Sequence, residues 1–577
     1  MPARTVTYNA DTKQIFAAMY SVDVPTDRPF VCVKDTDGKT MMDLFYPSSV
    51  NSTIGQDEAA AIDPWQIEIR EDCVILYTHI LSPIWRRKHV EILCYADRII
   101  YQIEVEGQGN LTDVNYFGGY CSAFLRWGSG FFWSGQRFQQ AFTPEPNTSE
   151  QAYHSPSTNL MIDMIGVPLP GRDDWFFTPP PFCYAFEHEA AWLGLGVACP
   201  PGQNQYSAYR YHGRDNAFYL SLSYEGQTRV EHRLRLPSIE INFGVDAYAV
   251  LSDHADSLRR KQYAPDRRGT PIPEWWSRPI YCGWGSQCYL SSINGGRAPD
   301  HATQVNYEGF LAALEERGIF PGTVVIDDKW QRTYGFNDVD LQKWPDLPGF
   351  IRQQHAQDRH VLLWLKFWDP EGIAPSMCVR NTAGHPVALD PTNPAFEACL
   401  RESIRTMLSP NGYDADGFKI DFSARAPASP SLTRYGSAWG LELMRQYLWI
   451  VYDEAKKVKP DALVIAHTPH PYLADVVDMI RLNDINIGKD ICAAMIHRQR
   501  VAAIACPSAL IDTDNWPMTD RKSWRAYLEL QPRLGVPALY FATHLDNTRE
   551  PLEEEDVQRL IEVWKTYSAT LQKVEMS

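Results

Sequence analysis

The stretch DADGFKIDF, Asp414 to Phe422, decides the fold. After an Asp-Gly turn, Phe418 and Ile420 alternate with Lys419 and Asp421. In a strand this alternation turns Lys419 and Asp421 to one face and the two apolar side chains to the other. Working outward, helical patterns flank the run, Pro394–Leu408 before it and Trp439–Lys457 after it. The strand–loop–helix rhythm continues in both directions. Strands are expected at Ile280–Trp284, Thr323–Asp327, His360–Phe367, Gly417–Asp421, Leu463–His467, Asp478–Leu482, Ala509–Asp512 and Pro537–Phe541. Eight strands alternating with helices predict a (β/α)8 TIM barrel over residues 279–577. The interval after His467 carries the faintest helical pattern.

Upstream the rhythm is different. Residues 1–245 alternate short β-branched and apolar runs, such as Cys73–Ile80 and Arg98–Val105, with Gly, Pro and Asn, which predicts an antiparallel β-sandwich. Residues 246–278 form a helical and Pro-rich linker ending in PDRRGTPIPEWWSRP. The eighth helix is expected to run nearly to Ser577, leaving no room for a further domain.

Composition narrows the function classes. A net charge of −17 disfavours nucleic-acid and anionic-membrane partners, which require a basic surface. The N-terminal segment MPARTVTYNADTK has no apolar core of a signal peptide, and the cysteines are scattered without metal-ligand spacing, so a cytoplasmic protein with reduced thiols is expected. The 18 Trp, 29 Tyr and 24 Phe suit sugar faces, although β-sandwich cores use aromatic residues too. A homo-oligomer is compatible with all of this.

In a TIM barrel the chemistry sits at the C-terminal ends of the strands. Polar residues converge there: Asp327, Asp328 and Trp330 at the second strand, Trp364 at the third, Lys419 and Asp421 at the fourth, Arg481 and Asp484 at the sixth, Asp512 and Asp514 at the seventh, with Trp284 at the first. Any single acid in this set reads as a helix cap, and Asp390 is expected to be one. The set as a whole reads otherwise, since clustered buried carboxylates are costly. Lys, Arg and Trp among them suit hydroxyl recognition better than metal binding, so no metal is expected. A carboxylate pair of this kind can cleave a glycosidic bond, one acid attacking and the other protonating the leaving oxygen.

The segments VVIDDKWQ (Val324 to Gln331), DADGFKIDF and IRLNDI (Ile480 to Ile485) resemble the glycoside hydrolase clan of families 27, 31 and 36, in strand order as well as in letters. The resemblance implies a retaining, exo-acting α-glycosidase working on an oligosaccharide or α-glycoside without a cofactor. It implies Asp421 as nucleophile and Asp484 as general acid/base, with Asp512 and Asp514 as reserve candidates for the acid. Asp327, Asp328 and Lys419 would bind sugar hydroxyls, Arg481 would lie near the acid/base, and Trp284 and Trp364 would line the sugar subsite. An α-galactoside is favoured over an α-glucoside or α-xyloside because paired aspartates suit the axial 4-hydroxyl. A transglycosylase, or a non-catalytic carbohydrate-binding protein on the same scaffold, would share these features. Lys329 stands where the clan has Gly, and an acidic substituent on the sugar would give that lysine a partner.

Overall fold

Alternating burial builds the N-terminal half. In the strand Arg87–Tyr95, Val90, Ile92 and Cys94 are buried while the residues between them reach solvent or are half-buried. The computed structural model describes residues 6–123, 130–136, 138, 179–189, 191–422, 431–482 and 490–575. Among these residues the N-terminal half forms a 12-stranded and a 9-stranded sheet. All strand pairs in them are antiparallel except a two-residue parallel contact between Glu58–Ala59 and Gly118–Cys121. Much of the aromatic content fills the space between the sheets, as where Tyr101 and Phe117 meet at 4.7 Å. The expected sandwich is therefore present.

Asp246 caps the helix Ala247–Arg260 by accepting from the backbone N–H of Ala249. The Pro-rich connection then lies against the N-terminal side of the barrel. Trp275 stacks on His360 at 3.9 Å, and the Trp276 ring N–H donates to the carbonyl of Asp461 at 2.8 Å.

The barrel strands are β1 (Ile280–Cys282), β2 (Thr323–Ile326), β3 (His360–Lys366), β4 (Gly417–Asp421), β5 (Leu463–Ala466), β6 (Met479–Arg481), β7 (Leu510–Asp512) and β8 (Ala538–Leu539). They form one parallel sheet in the order β7-β6-β5-β4-β3-β2-β1-β8. A bridge between Asp512 and Val536 closes the ring. Every residue of β2 and of β5 is buried, as expected of strands covered on both faces.

Two expectations need correction. The first strand stops at Cys282, and Trp284 instead opens an extra helix, Trp284–Asn294, inserted before the helix Gln304–Glu316, which was expected at Tyr307–Arg317. Gly283 precedes that helix, and its position leaves space for a side chain already taken by the Tyr307 hydroxyl, 2.1 Å from where a β-carbon would lie. Asp390 caps no helix. Asn393 caps Pro394–Leu408, and Asp390 accepts from Thr392 and from the backbone N–H of Tyr435. After β5 the faint helical pattern yields only the turn Pro471–Leu473.

The sandwich braces the element that follows β4. The helix Gly440–Val458 has no side-chain cap of its own. Its first N–H groups are satisfied by the sandwich loop instead: Leu441 donates to the Tyr206 carbonyl at 3.1 Å and Glu442 to that of Asn204 at 3.0 Å. Glu442 in turn accepts from the Asn204 N–H at 2.8 Å. Gly440 sits at φ +54°, and a β-carbon there would come 2.1 Å from the Tyr206 carbonyl oxygen. We predict that Gly440→Ala lowers stability by roughly 1–3 kcal/mol through strain and the forced separation of loop and helix. Chemical denaturation measures this, and a wild-type midpoint would refute the contact.

Candidate functional site

Strand register assembles the polar residues into one layer. Trp364 lies beside Lys419 and Lys366 beside Asp421 across β3 and β4, while Arg481 pairs with Asp512 across β6 and β7. At this end of the barrel a cavity of about 170 Å³ is lined by Trp284, Asp327, Asp328, Trp364, Lys419, Asp421, Phe422, Arg481, Trp516 and Tyr540. Seven of the expected residues thus share one pocket.

Asp421 is the most elaborately held. Its Oδ1 accepts from Arg481 and from the backbone N–H of Phe422, both at 2.8 Å, and its Oδ2 accepts from the Trp364 ring N–H at 3.2 Å. Burial by itself would raise its pKa. Arg481 above all, with Lys419, outweighs burial and holds the carboxyl well below the usual carboxylate range. Lys419, two residues away on the strand, is not its direct partner. That ammonium spans to Asp327 Oδ2 at 2.6 Å, and the ion pair keeps it charged against the cost of burial. The buried Cys282 thiol donates to the same Asp327 oxygen at 3.0 Å. Arg481 also donates to Asp514 at 2.6 Å and to His467 Nδ1 at 3.2 Å. A guanidinium only donates, so Nδ1 accepts, and the ring proton faces Asp421 from Nε2, 3.9 Å away.

Asp328, next to Asp327, has the opposite surroundings. Among the described residues its one direct side-chain partner is a neutral phenol, the Tyr334 hydroxyl donating to Oδ1 at 2.7 Å. Burial pushes this carboxyl up to about 7; Tyr334 and Lys366 counter the rise, while Asp327 and Asp421 add to it. Tyr334 is itself fixed by two ammonium groups, Lys329 at 3.6 Å and Lys366 at 4.3 Å from its ring centre. Lys329 is ion-paired with Glu371 and does not line the pocket. Its backbone is left-handed at φ +75°, which is the reason glycine suits this position.

Three expected residues stand apart from the cavity. Trp330 is fully buried behind β3, its ring N–H on the Trp364 carbonyl at 2.8 Å, so it supports the wall rather than lining it. Asp512 and Asp514 are buried beneath the pocket, Asp514 tied to Arg481 and Asp512 accepting the Asp514 N–H at 3.0 Å. Asp484 lies outside the described residues. Conversely, sequence reading passed over Tyr540, Trp516, Phe422, Cys282 and Tyr334. Tyr540 follows β8 in ALYFA and Phe422 directly follows Asp421, so strand-end position was a usable signal for both. Tyr334 had none, because it enters on the short hairpin of Gln331–Thr333 and Asp338–Val339 after β2. Among the described residues no group of three or more His, Cys, Asp or Glu is placed to hold a metal ion, and no helix is long and apolar enough to cross a membrane.

No protein-family model and no curated protein sequence matches the chain. Solved structures do. A GH31 family sulfoquinovosidase from E. rectale, in complex with an aza-sugar inhibitor, aligns over 98% of this chain and 82% of its own at TM-score 0.55 and 12% identity. The cycloalternan-degrading enzyme from Trueperella pyogenes aligns over 94% and 75% at TM-score 0.51 and 14% identity. A GH36 α-galactosidase from Geobacillus stearothermophilus aligns over 98% and 86% at TM-score 0.49 and 13% identity. The chain therefore has the sandwich-and-barrel fold of glycoside hydrolases in the clan its motifs resemble.

The raised Asp328 carboxyl is measurable. With aspartate carboxyl carbons labelled for NMR, one resonance absent from Asp328→Asn is expected to titrate near 7. Tyr334→Phe removes a hydrogen bond that favours the ionised form, so that midpoint should move upward. A midpoint near 4, the ordinary aspartate value, would contradict the environment described.

Proposed function

We propose that the chain is a retaining, exo-acting α-glycosidase that removes a terminal, uncharged α-linked sugar, with an α-galactoside favoured. The observation that carries the reading is Asp421: a carboxylate on the pocket wall, kept ionised by a buried guanidinium and oriented by an indole N–H. In the first step Asp421 attacks the anomeric carbon as the bond to the leaving oxygen breaks, and an acid supplies that oxygen with a proton. In the second, water attacks the same carbon, the acid's conjugate base takes the water's proton, and the bond to Asp421 breaks. The clan resemblance assigns the acid/base role to Asp484.

Charge pairing supports an uncharged sugar. Among the described residues, each cation at or beside the pocket already faces a carboxylate: Lys419 faces Asp327, Arg481 faces Asp421 and Asp514, Lys329 faces Glu371, and Lys366 faces Asp369. An anionic substituent would have to compete with one of these pairs. The acidic-sugar reading suggested by Lys329 is accordingly the weaker one, although the sulfoquinovosidase shares the fold. Asp327 and Asp328 both line the cavity, and such paired acids support galactose ahead of glucose.

The test is turnover of p-nitrophenyl α-galactoside, α-glucoside, α-xyloside and β-galactoside by wild type and Asp421→Asn. One α-glycoside should be cleaved, with at least about a 10³-fold loss in the variant, since a lost nucleophile removes the covalent route. Azide should rescue Asp421→Ala with inverted anomeric configuration. Asp484→Ala should impair poor leaving groups far more than aryl ones. Equal activity of wild type and Asp421→Asn would remove the proposed mechanism.

A further inference from the structure

One pocket side chain has a polar atom for which the described residues provide no partner. Tyr540 follows β8, its backbone N–H held by the Asn515 side-chain oxygen at 2.9 Å. The residue is 1% exposed, yet among the described residues its hydroxyl has no hydrogen-bond partner. Its ring is faced by the Lys419 ammonium at 5.0 Å. The nearby acids do not satisfy it: Asp514 is engaged by Arg481 and by the Trp516 N–H, and Asp512 by the Asp514 N–H. Buried hydroxyls are nearly always paired, because an orphan one loses its hydration without compensation. A fold keeps such a group where something other than the protein completes it. The pocket that Tyr540 lines supplies the place.

We infer that the Tyr540 hydroxyl hydrogen-bonds the bound sugar and is a specificity-determining residue of this site, selecting a glycone that carries a hydroxyl on the edge remote from its anomeric carbon. Position decides the edge. β8 and β4 are four strands apart in an eight-stranded ring and therefore face each other across the barrel. A pyranose that presents its anomeric carbon to Asp421 turns its far edge toward Tyr540. The Lys419 ammonium, reaching from β4 to 5.0 Å from the Tyr540 ring, and its partner Asp327, which follows β2, add a donor and an acceptor beside the phenol. The inference rests on the glycosidase reading for which sugar atom is met, but the binding role of Tyr540 is testable without turnover.

The informative variant is Tyr540→Phe, which removes only the orphan oxygen. If that oxygen serves ligand alone, the variant should fold at least as stably as wild type, with an equal or higher Tm. Free galactose, glucose and xylose are then titrated against both proteins by thermal shift. A sugar that raises the wild-type Tm should bind the variant about ten-fold more weakly, the worth of one neutral hydrogen bond. On a cleaved aryl glycoside, kcat/KM should fall by a similar factor, and the corresponding 4-deoxy glycoside should lose little further on mutation. A lower Tm for Tyr540→Phe would show that the hydroxyl serves the fold and would overturn the inference. So would unchanged sugar affinity and unchanged kcat/KM. Weakened sugar binding in the absence of any turnover would uphold Tyr540 while removing the hydrolase reading, so the two claims fail separately.

Discussion

The guanidinium of Arg481 is the group on which the site depends. It is almost wholly buried, and from β6 it reaches Asp421 on β4, His467 after β5 and Asp514 after β7. A charge in that position is tolerable only because carboxylates surround it, and each carboxylate is tolerable only because of the charge. Removing one partner leaves the others buried and uncompensated. The same contacts hold Asp421 ionised and aim it at the cavity. Fold and chemistry thus share one electrostatic arrangement, and the strand ends that compose it cannot move independently.

The opposite wall solves a related problem with different means. Asp327 and Asp328 are adjacent in the chain, but the first faces an ammonium and a thiol while the second faces a phenol. Burial raises the Asp328 carboxyl, which retains its proton to much higher pH than a solvated aspartate. The phenol is held by Lys329 and Lys366, each tied to its own carboxylate. The lysine in a left-handed backbone position is thus a clamp on Tyr334, and the strain it carries is offset by an ion pair and a ring contact. Tyr540 completes the pocket after β8 with a hydroxyl that no group among the described residues engages.

Much of the architecture was legible locally. The period-two burial of the sandwich strands and the strand–helix rhythm of the barrel are properties of short windows, and the β4 expectation, Gly417–Asp421, coincides with the observed strand. The errors fell where local pattern is ambiguous. Trp284 continues an apolar run that reads as strand, yet the chain turns into a helix at Gly283. Asp390 precedes a helix as a cap does, yet it holds the loop bearing Tyr435. Trp330 shares a motif with Asp327 and Asp328, but its side chain points behind the wall they form.

By itself the sequence determined which residues stand at the strand ends, because alternation and strand length follow from backbone geometry over a few residues. It determined that Lys419 and Asp421 share a face. Only the tertiary structure decided that they are not each other's main partner: Lys419 pairs with Asp327 across the barrel, and Arg481, from β6, takes Asp421. Only the tertiary structure left the Tyr540 hydroxyl without a partner among the described residues while gathering acceptors from Asp421, His467 and Asp514 around Arg481. The reason is that Coulomb and hydrogen-bond energies depend on separation in space over a few ångströms. Closure of the barrel sets those separations, bringing together side chains that the chain keeps tens to hundreds of residues apart.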